Sequence, residues 1–473
     1  MNTLPNSKFF DNKSVDITEM LFKIIFLFYA ALSYCSVTYG HAVISVLMWI
    51  TAALGAIVLL QRIVLYKEHK GMPMILPCIA IILCMGVSIL VNFSYDLKLN
   101  VVLLGYFAFY LFICFTHNQN KTAEKLKSEM HFYSWVFIIY TTIAIIASFV
   151  VMFAGFSSIR HVNADNFEVV TGFKFGRLWG IFLGPNGGAI VSLVSIAMMF
   201  GFILKNKKFL FRFLISVNII LHMLYITFSD SRTALVCIIA VPVLTALIYA
   251  MGSDKQKKLR FVKPVLVSIL ATVLCVTFVY SSKHLYNYVI TRINASSQGS
   301  ADGEQDPTDL DAIDRGYNLE DDYSNRRFDL WKSGFEVFKD SFKNITIGTT
   351  YYGMRLYSYE HLPDTYLVNN SQTDFANFHN EFINVLVAQG VLGFAAVIWL
   401  MAAIIIFVIK NIKNLDSSSL PEFTTAVAII LLSVLASMFI PGVFYLFSPS
   451  SIIFWMFLGY AVMLLKKGTN QEA

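Results

Sequence analysis

The sequence predicts an all-α polytopic membrane protein, on three observations: an apolar majority, recurring apolar stretches of bilayer-spanning length, and basic residues gathered in alternate loops. Of 473 residues, 57% are apolar and 14% charged, a balance that no water-soluble globular surface tolerates at this length. Apolar stretches of about 18–25 residues recur, each long enough to cross a hydrocarbon core of roughly 30 Å as a helix. About twelve are expected, at approximately 19–37, 42–61, 73–93, 99–116, 132–155, 186–204, 209–228, 233–251, 264–281, 384–409, 422–441 and 447–465. The first is too long for a signal-peptide core and has no small-residue cleavage site after it, so it is read as a retained span.

Basic residues set the orientation. They fill alternate loops: Arg62, Lys67 and Lys70; Lys121, Lys125 and Lys127; Lys205, Lys207, Lys208 and Arg212; Lys255, Lys257, Lys258, Arg260 and Lys263; Lys410 and Lys413; Lys466 and Lys467. By the positive-inside rule these loops and both termini are cytoplasmic. The same placement explains the net charge of +6 as topology, so no nucleic-acid partner is expected. The six cysteines all fall in apolar spans without a CxxC pair, and are read as small core residues rather than disulfide or thiolate-metal partners. No charged residue is expected well inside a span.

Three outward segments stand apart: about 156–185, the turn Phe228-Ser229-Asp230-Ser231-Arg232, and 283–383. The chain therefore divides into spans one to nine over 1–282, a large extracytoplasmic loop over 283–383, and spans ten to twelve over 384–473. A loop that long is usually functional. From Asn325, the residues Phe328, Trp331, Phe335 and Phe338 recur at helical spacing and give an aromatic face, lying either along the membrane interface or on the protein's own outer surface.

Chemistry is sought where charge appears outside. Arg177 precedes Gly184-Pro185-Asn186, and Pro185 suits the first turn of a helix whose free N–H groups, beside a guanidinium, make an anion site. Arg232 stands at the outer end of the eighth span, and Arg326 and Arg327 open the aromatic helix. Each alone is equally well an interfacial arginine that snorkels or pairs with a carboxylate; together they suit a diphosphate. His379-Asn380-Glu381 stands where the long loop re-enters the membrane, followed by Gly390 and Gly393, which let a neighbouring helix approach. A histidine there can take a proton from a sugar hydroxyl, although an isolated outward histidine is more often structural. Asp302, Glu304, Asp306, Asp309, Asp311 and Asp314 lack EF-hand spacing and read as a solvated acidic linker, as do Glu320, Asp321 and Asp322.

As a set, Arg177-Leu-Trp-Gly180 with Gly184-Pro-Asn186, Ser231-Arg232-Thr-Ala, Arg327-x-x-x-Trp331, and His379-Asn380 with Gly390 resemble the O-antigen ligase and polymerase superfamily over about residues 175–410. The resemblance implies a GT-C-like membrane glycosyltransferase of the bacterial cytoplasmic membrane, with its active site outside. Its donor would be an undecaprenyl-diphosphate-linked glycan and its acceptor another lipid-linked glycan, with no cofactor, nucleotide sugar or metal; a chain-length regulator is an admissible partner. Arg177, Arg232 and Arg326 or Arg327 would hold the diphosphate. His379 would act on the acceptor hydroxyl, with Asn380, Asn186 and Glu381 as candidates for sugar contact or geometry. A polymerase of cell-surface polysaccharide is favoured over a ligase, because the Lys-, Ile-, Phe- and Asn-heavy usage suggests an AT-rich genome and a host without lipid A. A flippase or other transporter is the competing class, against which the absence of charge inside the spans is set.

Overall fold

The computed structural model describes residues 12–65, 73–117, 120–162, 167–252, 259–297, 312–314, 326–368 and 377–469. Each of the twelve expected spans corresponds to a helix: α1 (Asn12–Ser33), α2 (Ala42–Val64), α3 (Ile75–Val91), α4 (Leu97–Phe109, continued by a π-turn to Phe115), α5 (Ala123–Phe153), α6 (Pro185–Lys205), α7 (Phe209–Ser229), α8 (Arg232–Gly252), α9 (Leu259–Ser297), α13 (Glu381–Asn411), α14 (Leu420–Ala436) and α15 (Pro449–Thr469). Among the described residues nine are long and apolar enough to cross a membrane, α3 and α14 are shorter apolar helices, and α1 is interrupted by charge. Between α9 and α13 lie three short helices, α10 (Arg327–Lys339), α11 (Phe342–Thr346) and α12 (Gly353–His361). The chain is thus an all-α polytopic membrane protein. α15 is almost wholly buried and forms the axis, with α14 on it and α6 and α8 against α14; α9 buries little of its apolar length within the protein, most of it being exposed or half-buried.

Several expectations are corrected. Charge does enter the spans: Glu19 and Lys23 of α1 are each 1% exposed. Lys23 Nζ donates to Glu19 Oε1 at 2.6 Å and Arg62 Nη2 donates to Glu19 Oε2 at 2.7 Å, so the buried charges compensate one another, as burial requires. These charges also start α1 earlier than hydropathy places it, and Cys35 falls beyond the helix in an isolated bridge to Phe182. Residues 156–185 are not a plain loop. They hold a three-stranded antiparallel sheet, β1 (Ser158–Val162), β2 (Phe167–Lys174) and β3 (Arg177–Gly180). The β2–β3 turn is Phe175-Gly176 with both residues at positive φ, the twist that two-residue hairpins favour. α9 runs on to Ser297, so the 282/283 boundary lies inside a helix. In α10 the buried face is Leu330, Ser333, Gly334 and Val337, while Phe328 and Phe335 of the aromatic face remain exposed.

Gly390 does something other than helix packing. It sits at φ 64°, ψ −168°, breaking α13, and a Cβ there would lie 2.4 Å from the Thr346 carbonyl carbon. The backbone of 346–350 fills the break: Thr349 N–H donates to Val387 O at 3.0 Å and Thr350 N–H to Ala388 O at 2.9 Å. Ser88 of α3 donates to the same Ala388 carbonyl at 2.8 Å. Carbonyls freed by the break are thus satisfied inside the protein, which a bilayer demands.

Candidate functional site

Two clusters form at the loop-bearing end of the bundle. The first begins with Arg177, the opening residue of β3. Its Nε donates to the Ser229 carbonyl at 2.8 Å and its Nη2 to Asn186 Oδ1 at 2.8 Å. The hairpin turn delivers the arginine, Pro185 at the first position of α6 delivers Asn186, and the C-terminus of α7 delivers the carbonyl. Asp230 follows in the left-handed region, a helix stop, and its carboxylate meets Lys283 Nζ of α9 at 3.0 Å. Ser231 Oγ then accepts from the Ala234 N–H, capping α8, and Arg232 opens that helix. Arg177 and Arg232 therefore converge on one α7–α8 turn. Asp314, at the end of the acidic run, lays its backbone against Gly176, where a Cβ would lie 1.5 Å from the Asp314 carbonyl oxygen. Asp302, Glu304, Asp306, Asp309 and Asp311, and Glu320, Asp321 and Asp322, lie outside the described residues.

The second cluster is the head of α13. Asn380 Oδ1 accepts from the N–H groups of Phe382 and Ile383 at 3.0 and 3.2 Å, an N-cap, which gives Asn380 a geometric role. Glu381 is 1% exposed, and its Oε1 accepts from the N–H groups of Phe444 and Tyr445 at 2.5 and 2.7 Å; its own N–H donates to Ser437 O at 2.8 Å. It staples the α14–α15 connection to α13 rather than facing solvent. His379 takes a left-handed φ of 48°, uncommon for a side-chain-bearing residue, and its N–H donates to Asn377 Oδ1 at 2.8 Å. Burial holds its imidazole down to about 4, assisted by the neighbouring Arg327 guanidinium, so the ring is neutral at pH 7.

The two adjacent arginines of α10 part company. Arg327 lies 5.6 Å from the Phe439 ring centre and beside His379, whereas Arg326 lies over Tyr366 at 5.9 Å. Tyr351 stacks on Tyr445 at 4.3 Å and 5°, and Gln389 Nε2 donates to the Tyr445 hydroxyl at 2.8 Å, bracing the stapled connection. That connection also approaches the first cluster: Ile440, Pro441 and Gly442 line a narrow cleft with Tyr34 and with Gly187, the residue after Asn186. Sequence reading missed Glu381's staple and Phe439. The Pro441-Gly442 pair between two spans was the available signal.

Among the described residues one group of side chains has metal-ligand composition, Glu19, His117 and Glu129, at the other end of the bundle. Glu19 Oε1 already accepts from Lys23 and, at 3.3 Å, from Lys121, and Arg62 holds Oε2. Three cations in that space oppose a fourth.

Residues 217–398 match the family described as O-antigen ligase. The matched stretch runs from within α7 into α13 and includes Arg232, Arg326, Arg327, His379, Asn380 and Glu381; Arg177 and Asn186 precede it. No curated protein matches the chain.

Proposed function

Given that this chain belongs to the O-antigen ligase and polymerase superfamily, we propose that it polymerises undecaprenyl-diphosphate-linked oligosaccharide repeats at the outer face of a bacterial cytoplasmic membrane. The neutral imidazole of His379 takes the proton of the acceptor hydroxyl. That oxygen attacks the anomeric carbon of the donor sugar, the bond from that carbon to the diphosphate oxygen breaks, and undecaprenyl diphosphate leaves with the electron pair. Arg177 and Arg232 from one cluster and Arg327 from the other meet the departing negative charge, an electrostatic role that needs no proton donor. Arg326, turned to Tyr366, is the weaker donor-site candidate. Asn186 orients Arg177, and Asn380 and Glu381 hold the backbone that carries His379.

The observation that carries this reading is the placement of His379 at the head of α13 with the Arg327 guanidinium beside it, over the Phe439 ring. A proton acceptor and a phosphate partner side by side are what glycosyl transfer from a diphosphate requires. The test is to incubate purified protein with lipid-linked repeats alone and resolve the products. A ladder of regularly increasing length is expected. Transfer of a single glycan only when a lipid A core acceptor is added would make the protein a ligase. Movement of lipid-linked repeats across a vesicle membrane without new glycosidic bonds would make it a transporter, a class that the buried Glu19–Lys23–Arg62 charges no longer argue against.

A further inference from the structure

α6 begins beside Arg177 and ends at Lys205, a helix of 21 residues and so about 31 Å long. Its far end therefore lies one hydrocarbon thickness away from the candidate active site. There the α6–α7 connection opens a cavity of about 740 Å³, lined by Trp135, Phe202, Phe211, Lys205, Lys207 and Lys208, together with Asn206. The wall is aromatic and continuous: Trp135 stacks on Phe202 at 4.8 Å and meets Phe211 edge-on at 6.1 Å. The lip is basic and its backbone is held. Asn206 Oδ1 accepts from the Lys208 N–H at 3.0 Å, and the Asn206 carbonyl accepts from Arg212 Nε at 2.6 Å. Lys205 is engaged by Glu422 and lies 3.4 Å from His131 Nε2. Lys207 and Lys208 are exposed, and among the described residues neither ammonium meets a carboxylate. Next to the lip, Phe209 and Leu210 are 83% and 66% exposed, which marks this side of α7 as lipid-facing.

We propose that this cavity binds an anionic phospholipid. Its phosphate sits between Lys207 and Lys208, and one acyl chain lies along Trp135, Phe202 and Phe211. Charge complementarity selects the occupant: a basic lip at the headgroup level over an apolar wall matches a lipid that carries net negative charge, and a zwitterionic headgroup brings its own cation to the same lip. A soluble phosphate would use the lysines and leave the aromatic wall unused.

Trp135 reports the occupant directly. Wild-type protein and Trp135→Phe are placed in bilayer nanodiscs doped with phosphatidylglycerol or phosphatidylcholine brominated on an acyl chain, and the Trp135 signal is taken as their difference. A juxtamembrane lysine contributes roughly fivefold in affinity for anionic lipid, so half-quenching by the phosphatidylglycerol is expected at a mole fraction about 25-fold lower than by the phosphatidylcholine. Lys207→Ala with Lys208→Ala should abolish the preference, and Lys207→Arg with Lys208→Arg should keep it. In unaltered wild type, added salt should erode the phosphatidylglycerol preference and leave phosphatidylcholine quenching unchanged. Equal quenching by both lipids in wild type, salt-independent preference, or preference retained in the double alanine variant would each overturn the proposal. Relief of phosphatidylglycerol quenching by glycerol phosphate would overturn it in favour of a soluble phosphate ligand.

Discussion

Acid titration of transfer separates a buried base from an ordinary surface histidine. With its imidazole held at about 4 rather than near 6.5, His379 should be about 97% neutral at pH 5.5, where an unperturbed ring would be only about 10% neutral. Initial rates of polymer formation, measured from pH 7.5 to 4 in nanodiscs, should therefore stay flat to about pH 5 and halve near pH 4. Two forces hold the ring down, burial first and the Arg327 charge second. Arg327→Met should thus move the acid limb upward, towards but not as far as 6.5, in addition to lowering the plateau. His379→Ala should lose roughly 10²–10⁴-fold in rate at all pH values, the usual contribution of a general base. The same depression has a linked cost: between about pH 6.5 and 4 the unfolded chain binds a proton that the folded chain refuses, so stability falls as pH falls through that window. Samples returned to pH 7 after each acid exposure must regain full rate for the limb to be kinetic. A reversible limb centred near 6.5, or an Arg327→Met limb that does not move, would refute the reasoning, and so would full activity in His379→Ala. His361, whose ring stacks on Tyr357 at 4.2 Å, and His284 should tolerate alanine.

Arg177→Ala and Arg232→Ala should each cut product formation by about 10- to 100-fold through lost charge-assisted bonds, with Arg177→Lys recovering little because one ammonium cannot reach both Ser229 O and Asn186 Oδ1; near-normal ladders from both alanine variants would make these arginines structural. Glu381→Ala should lower thermal stability by about 2 kcal/mol, because two buried N–H groups lose their acceptor, and Glu381→Gln by less, because an amide oxygen can still accept from both; unfolding at the wild-type temperature in the alanine variant would dismiss the staple. A thiol probe at Phe342→Cys, a position 81% exposed, should react from the extracytoplasmic side, and reaction only from the cytoplasm would invert the topology on which the functional reading rests. Chelation with EDTA should leave polymerisation intact, whereas inhibition reversed by Mg²⁺ would transfer the diphosphate's charge partner from arginine to a cation.

What could be read from the sequence divides by range. Each apolar helix of the bundle announces itself over about twenty consecutive residues, and so all twelve helices were legible, although among the described residues nine of them are long and apolar enough to cross a membrane. The charges of α1 obscured its start, because what permits Glu19 in a helix is Arg62, 43 positions on, and Lys121, 102 positions on. The small sheet was hidden for a related reason: its hairpin turn uses Phe175 at φ 55°, a residue that signals a strand rather than a turn. Gly390 and Gly393 read as a packing pair, yet the partner of Gly390 is the backbone of Thr346 and Ile347, which no periodicity in α13 reveals. In the candidate site, Arg177 and Asn186 lie nine positions apart and were legible together, while the Ser229 carbonyl that fixes the other edge of the guanidinium carries no sequence signal at all. The choice between Arg326 and Arg327 was equally closed to the sequence, since it depends on where Phe439 and Tyr366 stand around the first turn of α10.

The head of α13 shows how the backbone around His379, the proposed base, is kept in place. Asn380 caps the helix, Glu381 ties its first turn to residues 444–445, and the break at Gly390 is filled by 346–350, which Asn92 of the α3–α4 connection holds in turn by donating to the Gly348 carbonyl at 3.0 Å. These restraints come from three different parts of the chain, and none of them is the His379 side chain itself. The left-handed backbone at His379 is a local cost, of the order of 1 kcal/mol, that such a frame can sustain and an unsupported loop end would relax. The frame thereby fixes the backbone that carries the proposed base before any substrate arrives, a geometric condition for the proposed proton transfer to contribute to the rate.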